Sequence, residues 1–352
     1  MKALVLCGGS GTRLRPLSRT MPKQLIPVAG RPVLLHVLQN LRELGVEEIG
    51  VIVGDWREAI EEVLGDGSAF GARVTYIPQQ APLGIAHCVL IAREFLGDDD
   101  FVLYLGDTVL TEGVAGIAEE FTSAPTAARI VVQKVSDPRA FGVVETDADG
   151  IVTRLVEKPR NPATDLAVVG VYFFTPAIHE AVAAITPSAR GEREITDAVQ
   201  YLVDTGHEVR ASVHSGFWRD TGRVGDLLDC NRELLNGLRR SVAGRVDATS
   251  EITGDVVVED GAVVERSRIT GPVVIGAGAT VRDSHIGPHT AIGAGCVVEA
   301  AGITDSILLP GAAVRRVSDV HGSVLARESA AGPAARRLRL TAGRPAWTGA
   351  AA

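Results

Sequence analysis

The sequence predicts two architectures in series: an α/β domain on a Rossmann-like, mainly parallel open sheet over residues 1–238, then a parallel β-helix over 239–328. Three observations carry this reading. Apolar, β-rich runs alternate with helical patterns as far as residue 237. From residue 252 apolar residues recur in steps of six, six and five, so that every position returns after 17. A chain of 352 residues is long for one core, and its 46% apolar content is ample for two.

The first domain follows from its alternation. Strand-like runs fall at 3–7, 49–53, 74–77, 101–105, 130–135 and 168–174, and helical patterns at 33–44, 56–64 and 85–96 lie between the first four. Strands near-continuously apolar and separated by helices belong to a sheet covered on both faces. Ligands in such sheets bind beyond the carboxyl ends of the strands. The first strand ends in Gly8-Gly9-Ser10-Gly11-Thr12 and the fourth in Gly106-Asp107.

The second domain follows from its hexads. Ile252, Val258 and Val264 are followed by Ile269, Ile275 and Val281, then by Ile286, Ile292 and Val298, with Ile303, Leu309 and Val320 extending the series. Each such residue points into a triangular prism whose sides are short strands. Hexapeptide-repeat coils of this type are left-handed, against the usual crossover hand. Arg315 stands where an interior apolar residue is due, so the coil is expected to fray or be capped between 315 and 327. The aperiodic Ala/Gly/Arg-rich stretch 329–352 reads as a disordered tail.

Composition excludes several classes. A net charge of −8 argues against a general nucleic-acid surface. Cys7, Cys88, Cys230 and Cys296 lack CxxC spacing and read as small buried hydrophobes, with neither zinc cluster nor disulfide framework. With no long apolar run and no leader-like start, a soluble, cytoplasmic protein without membrane contact is expected.

The chemistry begins in the glycine-rich turn after the first strand. Glycines there let backbone N–H groups approach an anion, because no Cβ intervenes and positive φ is available. A Walker A loop needs Lys directly after its last Gly, whereas Gly11 is followed by Thr12-Arg13 and a lysine arrives only at Lys23. The dinucleotide fingerprint needs a third spaced glycine, which Gly9-Ser10-Gly11-Thr12-Arg13-Leu14 lacks. Two cations, Arg13 and Lys23, brought to one phosphate loop suit a departing pyrophosphate.

Other candidates are weaker on their own. Asp107 and Asp220 each end an apolar segment, where an aspartate often caps a turn; as a pair they suit Mg²⁺, which takes one or two carboxylates plus substrate phosphates. Lys158 of Glu157-Lys158-Pro159 and Arg190 read from spacing alone as solvated charges, and Gly142 and Gly170 as possible bulge glycines. Gln79 or Gln80 offers a donor and an acceptor to a base edge, and Gly84 lets backbone reach it.

The run Gly8-Gly9-Ser10-Gly11-Thr12-Arg13-Leu14-Arg15-Pro16-Leu17 with Pro22-Lys23-Gln24-Leu25-Ile26-Pro27-Val28 resembles the signature of the nucleotidyl-diphosphate-sugar pyrophosphorylases, and within them the long-form glucose-1-phosphate thymidylyltransferases. The resemblance implies a nucleotidyltransferase that joins dTTP and glucose 1-phosphate into dTDP-glucose and pyrophosphate, with Mg²⁺ as cofactor. It implies Arg13, Lys23 and Lys158 as catalytic cations, Gly8, Gly9, Ser10, Gly11, Thr12, Gln79 and Gly84 as the nucleotide site, and Asp107 and Asp220 as metal ligands. Gly142, Glu157, Lys158, Gly170, Tyr172 and Arg190 would take the sugar phosphate. Thr108, Leu83 and Arg193 depart from the family pattern and bear on the base and the sugar. A uridylyltransferase acting on glucose or N-acetylglucosamine 1-phosphate is the alternative enzyme, and a non-catalytic scaffold the alternative of another class. The hexad domain is expected to build a homo-oligomer and stabilise the chain, not to house a second active site.

Overall fold

The computed structural model describes residues 1–9 and 11–326. Ser10, the expected tail 329–352 and the last two residues of the expected β-helix range lie outside the described residues. In chain order the elements are β1 (Lys2–Leu6), β2 (Pro27–Val28), β3 (Arg31–Pro32), α1 (Val33–Glu43), β4 (Glu48–Val53), α2 (Arg57–Leu64), β5 (Arg73–Pro78), α3 (Ile85–Ile91), α4 (Arg93–Leu96), β6 (Phe101–Leu105) and β7 (Thr108–Leu110). There follow α5 (Ala115–Ser123), β8 (Ala128–Lys134), β9 (Gly142–Thr146), β10 (Val152–Glu157), β11 (Leu166–Phe174), α6 (Ile178–Ala184), α7 (Ile195–Asp204), β12 (Val209–Val213), β13 (Trp218–Asp220) and α8 (Val224–Asn236). Sixteen short strands then run from β14 (Ser241–Val242) to β29 (Val324–Leu325). Among the described residues no helix is long and apolar enough to cross a membrane.

The chain divides into two compact units. The first holds Met1–Ser10 with Leu34–Asp220; the second holds Gly11–Val33 with the described residues from Thr221 onward. The change of architecture still falls between α8 and β14, but the segment after the first strand belongs with the β-helix.

The first unit carries a nine-stranded sheet in the order β10-β9-β11-β6-β1-β4-β5, with β8 branching from β11 and β12 pairing with β8. It is parallel where helices alternate with strands: β1 pairs in parallel with β4 and β6, and β4 with β5. Beyond β6, β11 pairs antiparallel with β6, β8 and β9, while β12 adds to β8 in parallel. Helices cover it through apolar stripes: α7 buries Ile195, Ala198, Val199 and Leu202 at helical spacing. The helical pattern at 85–96 is two helices, α3 and α4, broken at Ala92.

The second unit's strands form three parallel sheets of six, five and five strands, one per side of the prism. Val258, Val264, Ile269, Ile275, Val281, Ile286, Ile292 and Val298 are at most 1% exposed, which places the hexad series inside. Serines at one corner form a ladder: the Ser284 N–H donates to Ser267 Oγ at 3.1 Å, and Ser284 Oγ accepts from the Ala301 N–H at 3.1 Å. Outside, opposite charges stack from coil to coil, with Glu265, Arg282, Glu299 and Arg315 in consecutive register.

That register corrects the expected end of the coil. Ile292 pairs with Leu308 and Val298 with Val314, a repeat one residue shorter than 17, so Leu308 joins the interior cluster in place of Leu309. The deletion lies between Ile303 and Leu308, five residues where the previous coil has six from Ile286 to Ile292. Arg315 therefore faces outward beside Glu299, and the coil continues through Val320, Val324 and Leu325, all 0% exposed.

Candidate functional site

The carboxyl ends of the parallel strands gather the first group of candidates. The Gly106 N–H donates to the Leu6 carbonyl at 3.0 Å and the Gln79 N–H to the Val53 carbonyl at 2.8 Å, so the turns after β6 and β5 are fastened beside those after β1 and β4. Gly8 is pressed against Gln79: a Cβ there would lie 2.6 Å from Gln79 Oε1. Gly9, next in the loop, is exposed. Gln79 Nε2 stands 3.2 Å from His87 Nδ1 and 3.2 Å from Cys88 Sγ. Burial first, then the Arg193 cation, hold the His87 imidazole below its ordinary range, so it is neutral and accepts from the Gln79 amide. Gly84 has φ +103°, and a Cβ on it would fall on the backbone of Arg193. The Arg193 N–H donates to the Leu83 carbonyl at 2.7 Å and its carbonyl accepts from the Ala86 N–H at 3.1 Å. The Arg193 side chain, at its unusual position, donates to the carbonyls of Val182 and Ile185.

The two aspartates meet through a small ladder of their own. β7 and β13 pair antiparallel with Asp220 opposite Thr108, which brings Asp220 alongside Asp107 at the turn after β6. Asp107 is 7% exposed, and Asp220 Oδ1 is among the buried side-chain oxygens. Two carboxylates placed together at the end of a parallel sheet form a donor set of the hard-oxygen kind that a divalent cation takes, its remaining positions left to water and phosphate. The pair fits such an ion.

The sugar-phosphate candidates cluster around Glu157. Its Oε1 pairs with Lys158 Nζ at 2.9 Å and lies 3.7 Å from Arg190, while its Oε2 accepts from Thr196 Oγ1 at 3.4 Å. Gly142 sits beneath: a Cβ there would approach Thr196 Cγ2 to 2.9 Å and Glu157 Oε2 to 3.5 Å. Arg190 is not a bare surface charge. It grips Glu194 with two nitrogens, at 3.0 and 2.9 Å, and reaches Glu192 at 3.0 Å. Gly170 has φ +85° at a register shift in β11, so it is a bulge glycine, and it also has no room for a Cβ, which would lie 2.6 Å from Leu105 Cδ1. Tyr172 belongs to the core cluster, 3% exposed and stacked on Phe174.

The loop residues Gly11, Thr12, Arg13 and Lys23 belong to the second unit. Gly11 adopts φ +59° ahead of a 3₁₀ turn at Thr12–Leu14. A Cβ on Gly11 would lie 3.4 Å from Lys23 Cβ, so the glycine lets the lysine stem pass close under the loop. Arg13 is exposed and Lys23 half-buried at a second turn, Lys23–Leu25.

Two side chains that sequence reasoning passed over stand out as buried polar groups. Gln24 Oε1, in a side chain 1% exposed, has no hydrogen-bond partner among the described residues, and neither has Nε1 of Trp218, which lies two residues before Asp220 with its ring centroid 5.0 Å from that of Phe141. A carboxamide directly after Lys23 was the available signal for the first; nothing in the sequence marked the second.

Comparison with known proteins identifies the family. The profile of the nucleotidyl transferase family matches residues 2–237. The chain is 54% identical over 264 residues to a glucose-1-phosphate thymidylyltransferase of Streptomyces griseus, covering 75% of this chain and 74% of the relative. It is 45% identical over 263 residues, 74% of each, to the low-salt glycan biosynthesis nucleotidyltransferase Agl11 of Haloferax volcanii. A solved Bacillus anthracis structure with a provisional glucose-1-phosphate thymidylyltransferase assignment superposes with TM-score 0.62 at 32% identity, covering 66% of this chain and 94% of that one. On these likenesses the chain belongs to the nucleotidyl transferase family.

Proposed function

We propose that this chain is a glucose-1-phosphate thymidylyltransferase, forming dTDP-glucose and pyrophosphate from dTTP and glucose 1-phosphate. The observation that carries the reading is the convergence of Gly8-Gly9, Gln79 and the Asp107–Asp220 pair at the carboxyl ends of β1, β5 and β6, on a chain half identical to proteins of that name. The sugar phosphate oxygen is the nucleophile. It attacks the α-phosphorus in line, the new P–O bond forming as the bond to pyrophosphate breaks, so no side-chain nucleophile is needed.

The chain's residues bind, orient and neutralise. Backbone N–H groups of the Gly8–Gly11 loop cradle the triphosphate, and Arg13 and Lys23 meet the charge that builds on the departing pyrophosphate. Gln79, held by neutral His87, presents its amide to the pyrimidine edge. Lys158 faces the two phosphates being joined, Arg190 backs it, and Glu157 with the Gly142 and Gly170 backbones orients the sugar hydroxyls. Asp107 and Asp220 would hold Mg²⁺, which supplies charge neutralisation of the phosphate oxygens.

The hexad coil is read as serving assembly into a homo-oligomer and not a second reaction. Of its histidines, His289 is bonded to Asn236 and His321 to Thr304. The reading is tested by pyrophosphate release across five nucleotides and four sugar 1-phosphates. Turnover with dTTP and glucose 1-phosphate, with UTP equal or weaker because thymine and uracil share one hydrogen-bonding edge, is expected; exclusive use of a purine nucleotide would overturn it.

A further inference from the structure

The segment carrying Arg13 and Lys23 continues into a hairpin that is tied to α8 and the coil, and one side chain is central to the tie. The hairpin of β2 and β3 turns through Ala29 and Gly30, with φ of 49° and 81°, the double positive φ of a two-residue I′ turn. Its tip rests on the coil, where a Cβ on Gly30 would stand 2.9 Å from Val274 Cγ1. Val274 lies on β20 (Val273–Ile275), outside the interior cluster yet only 3% exposed. Asn231 on α8, 0% exposed, spends its whole amide here. Its Oδ1 accepts from the Ala29 N–H at 2.9 Å and its Nδ2 donates to the His289 carbonyl at 2.9 Å. His289 is itself a coil corner at φ +58°, with Nε2 2.9 Å from Asn236 Oδ1. The hairpin is closed toward the lysine by Val33 N–H to Ile26 carbonyl and Ile26 N–H to Lys23 carbonyl, each 3.2 Å.

We propose that Asn231 is a positioning residue: by bridging the Ala29 N–H and the His289 carbonyl it makes the β-helix the frame that fixes the Lys23 end of the phosphate loop. The proposal rests on the reading that Lys23 and Arg13 serve the nucleotide phosphates. The neighbouring Arg232 provides the contrast. It docks the same helix on the coil by a two-nitrogen clasp of Asp305, at 2.6 and 2.7 Å, and its third bond goes to Asp229 at 2.7 Å. Loss of Arg232 loosens helix docking, whereas loss of Asn231 takes the partner from two half-buried backbone groups, one of them in the hairpin.

The test compares full-length wild type, N231A and R232A by hydrogen exchange of the peptide spanning 21–33, by kcat and KM for both substrates, and by thermal unfolding. For N231A, exchange in that peptide speeds up and kcat falls between about 10- and 100-fold, while KM for glucose 1-phosphate changes by less than about twofold. That split is expected because Glu157, Lys158 and Arg190 lie in the first unit. R232A loses thermal stability but keeps both kcat and the exchange of 21–33. Wild-type kcat or unchanged exchange in N231A overturns the proposal, as does an equal kcat loss in R232A at matched stability. Should N231A not fold, N231D, which keeps an acceptor for Ala29 but loses the donor to His289, is read by the same measurements. A wild type without pyrophosphate release would overturn the functional reading, while the exchange comparison would still decide whether Asn231 makes the tie.

Discussion

Replacing Gly8 by Ala separates ligand recognition from stability, because the structure makes the two costs very different. Gly8 does not have positive φ, so alanine is compatible with its backbone and gains about 0.4 to 1 kcal/mol from a less flexible unfolded chain. The added Cβ would stand 2.6 Å from Gln79 Oε1, the far end of a flexible side chain that can yield by about 0.8 Å to reach ordinary contact. Yielding carries the amide off His87 Nδ1 and Cys88 Sγ and away from the orientation in which it meets a base. One or two hydrogen bonds lost at the base are worth about 1 to 3 kcal/mol, roughly 5- to 150-fold in kcat/KM for the nucleotide. Gly84 is the opposite case. At φ +103° its Cβ would fall on the immovable backbone of Arg193, so Gly84→Ala is expected to cost at least about 3 kcal/mol of stability. Thermal unfolding and pyrophosphate-release kinetics at varied dTTP decide both. Gly8→Ala with unchanged kcat/KM for dTTP, or Gly84→Ala with unchanged Tm, would refute the reasoning.

Three further outcomes are expected. Arg13→Ala lowers kcat by about 10² to 10³, with nucleotide KM little altered, because its contact strengthens as charge develops; wild-type turnover would make the arginine structural only. Asp220→Asn removes one of the two charges facing the cation, so activity should require at least about tenfold more Mg²⁺ in a metal titration, and an unshifted curve would release Asp220 from that role. His87, whose folded-state pKa is depressed, contributes stability that is whole above the ordinary imidazole value of about 6.5 and declines as pH falls below it. Protonated His87 cannot accept from Gln79, so nucleotide KM should rise on the acid side; a flat KM down to about pH 5 would exclude the coupling.

Much of this was legible from short-range patterns, and what was not depended on distant partners or on a single residue of phase. The strands at 3–7, 49–53, 74–77 and 101–105 lie within a residue of the observed ones, because parallel strands covered on both faces are apolar throughout. The 17-residue repeat located the coil, but the pair Leu308-Leu309 offers the interior position to either residue. The shortened corner between Ile303 and Leu308 selects Leu308, and with it turns Arg315 outward. Arg190 reads as a solvated charge until α7 is built, whose start brings Glu194 beneath it. Nothing local shows that residues 11–33 belong with the β-helix. The bond from Ala29 to Asn231 spans 202 residues, and the fit of Gly30 on Val274 appears only once the coil exists.

Removal of the β-helix should therefore reach the hairpin after Lys23 as well as the assembly. Every loop, carboxylate and lysine candidate precedes residue 238, so the sequence favours a chain cut there that keeps nucleotidyl transfer and loses only assembly or solubility. In the structure the cut removes Val274 from under Gly30, the His289 carbonyl from Asn231 and Asp305 from Arg232, so the hairpin after Lys23 loses its seat and α8 its clasp together. Catalysis here is positioning and charge neutralisation, for which a displacement of about 1 Å costs about 10²-fold. The truncated chain is therefore expected to fall at least as far in kcat as N231A. It should retain the first unit's sheet, whose strand pairings all lie within residues 1–220. Circular dichroism, light scattering and pyrophosphate release on the two chains make the comparison. A folded 1–238 chain with full-length kcat would show that the phosphate loop holds its own shape, and would return the coil to the role of an assembly element alone.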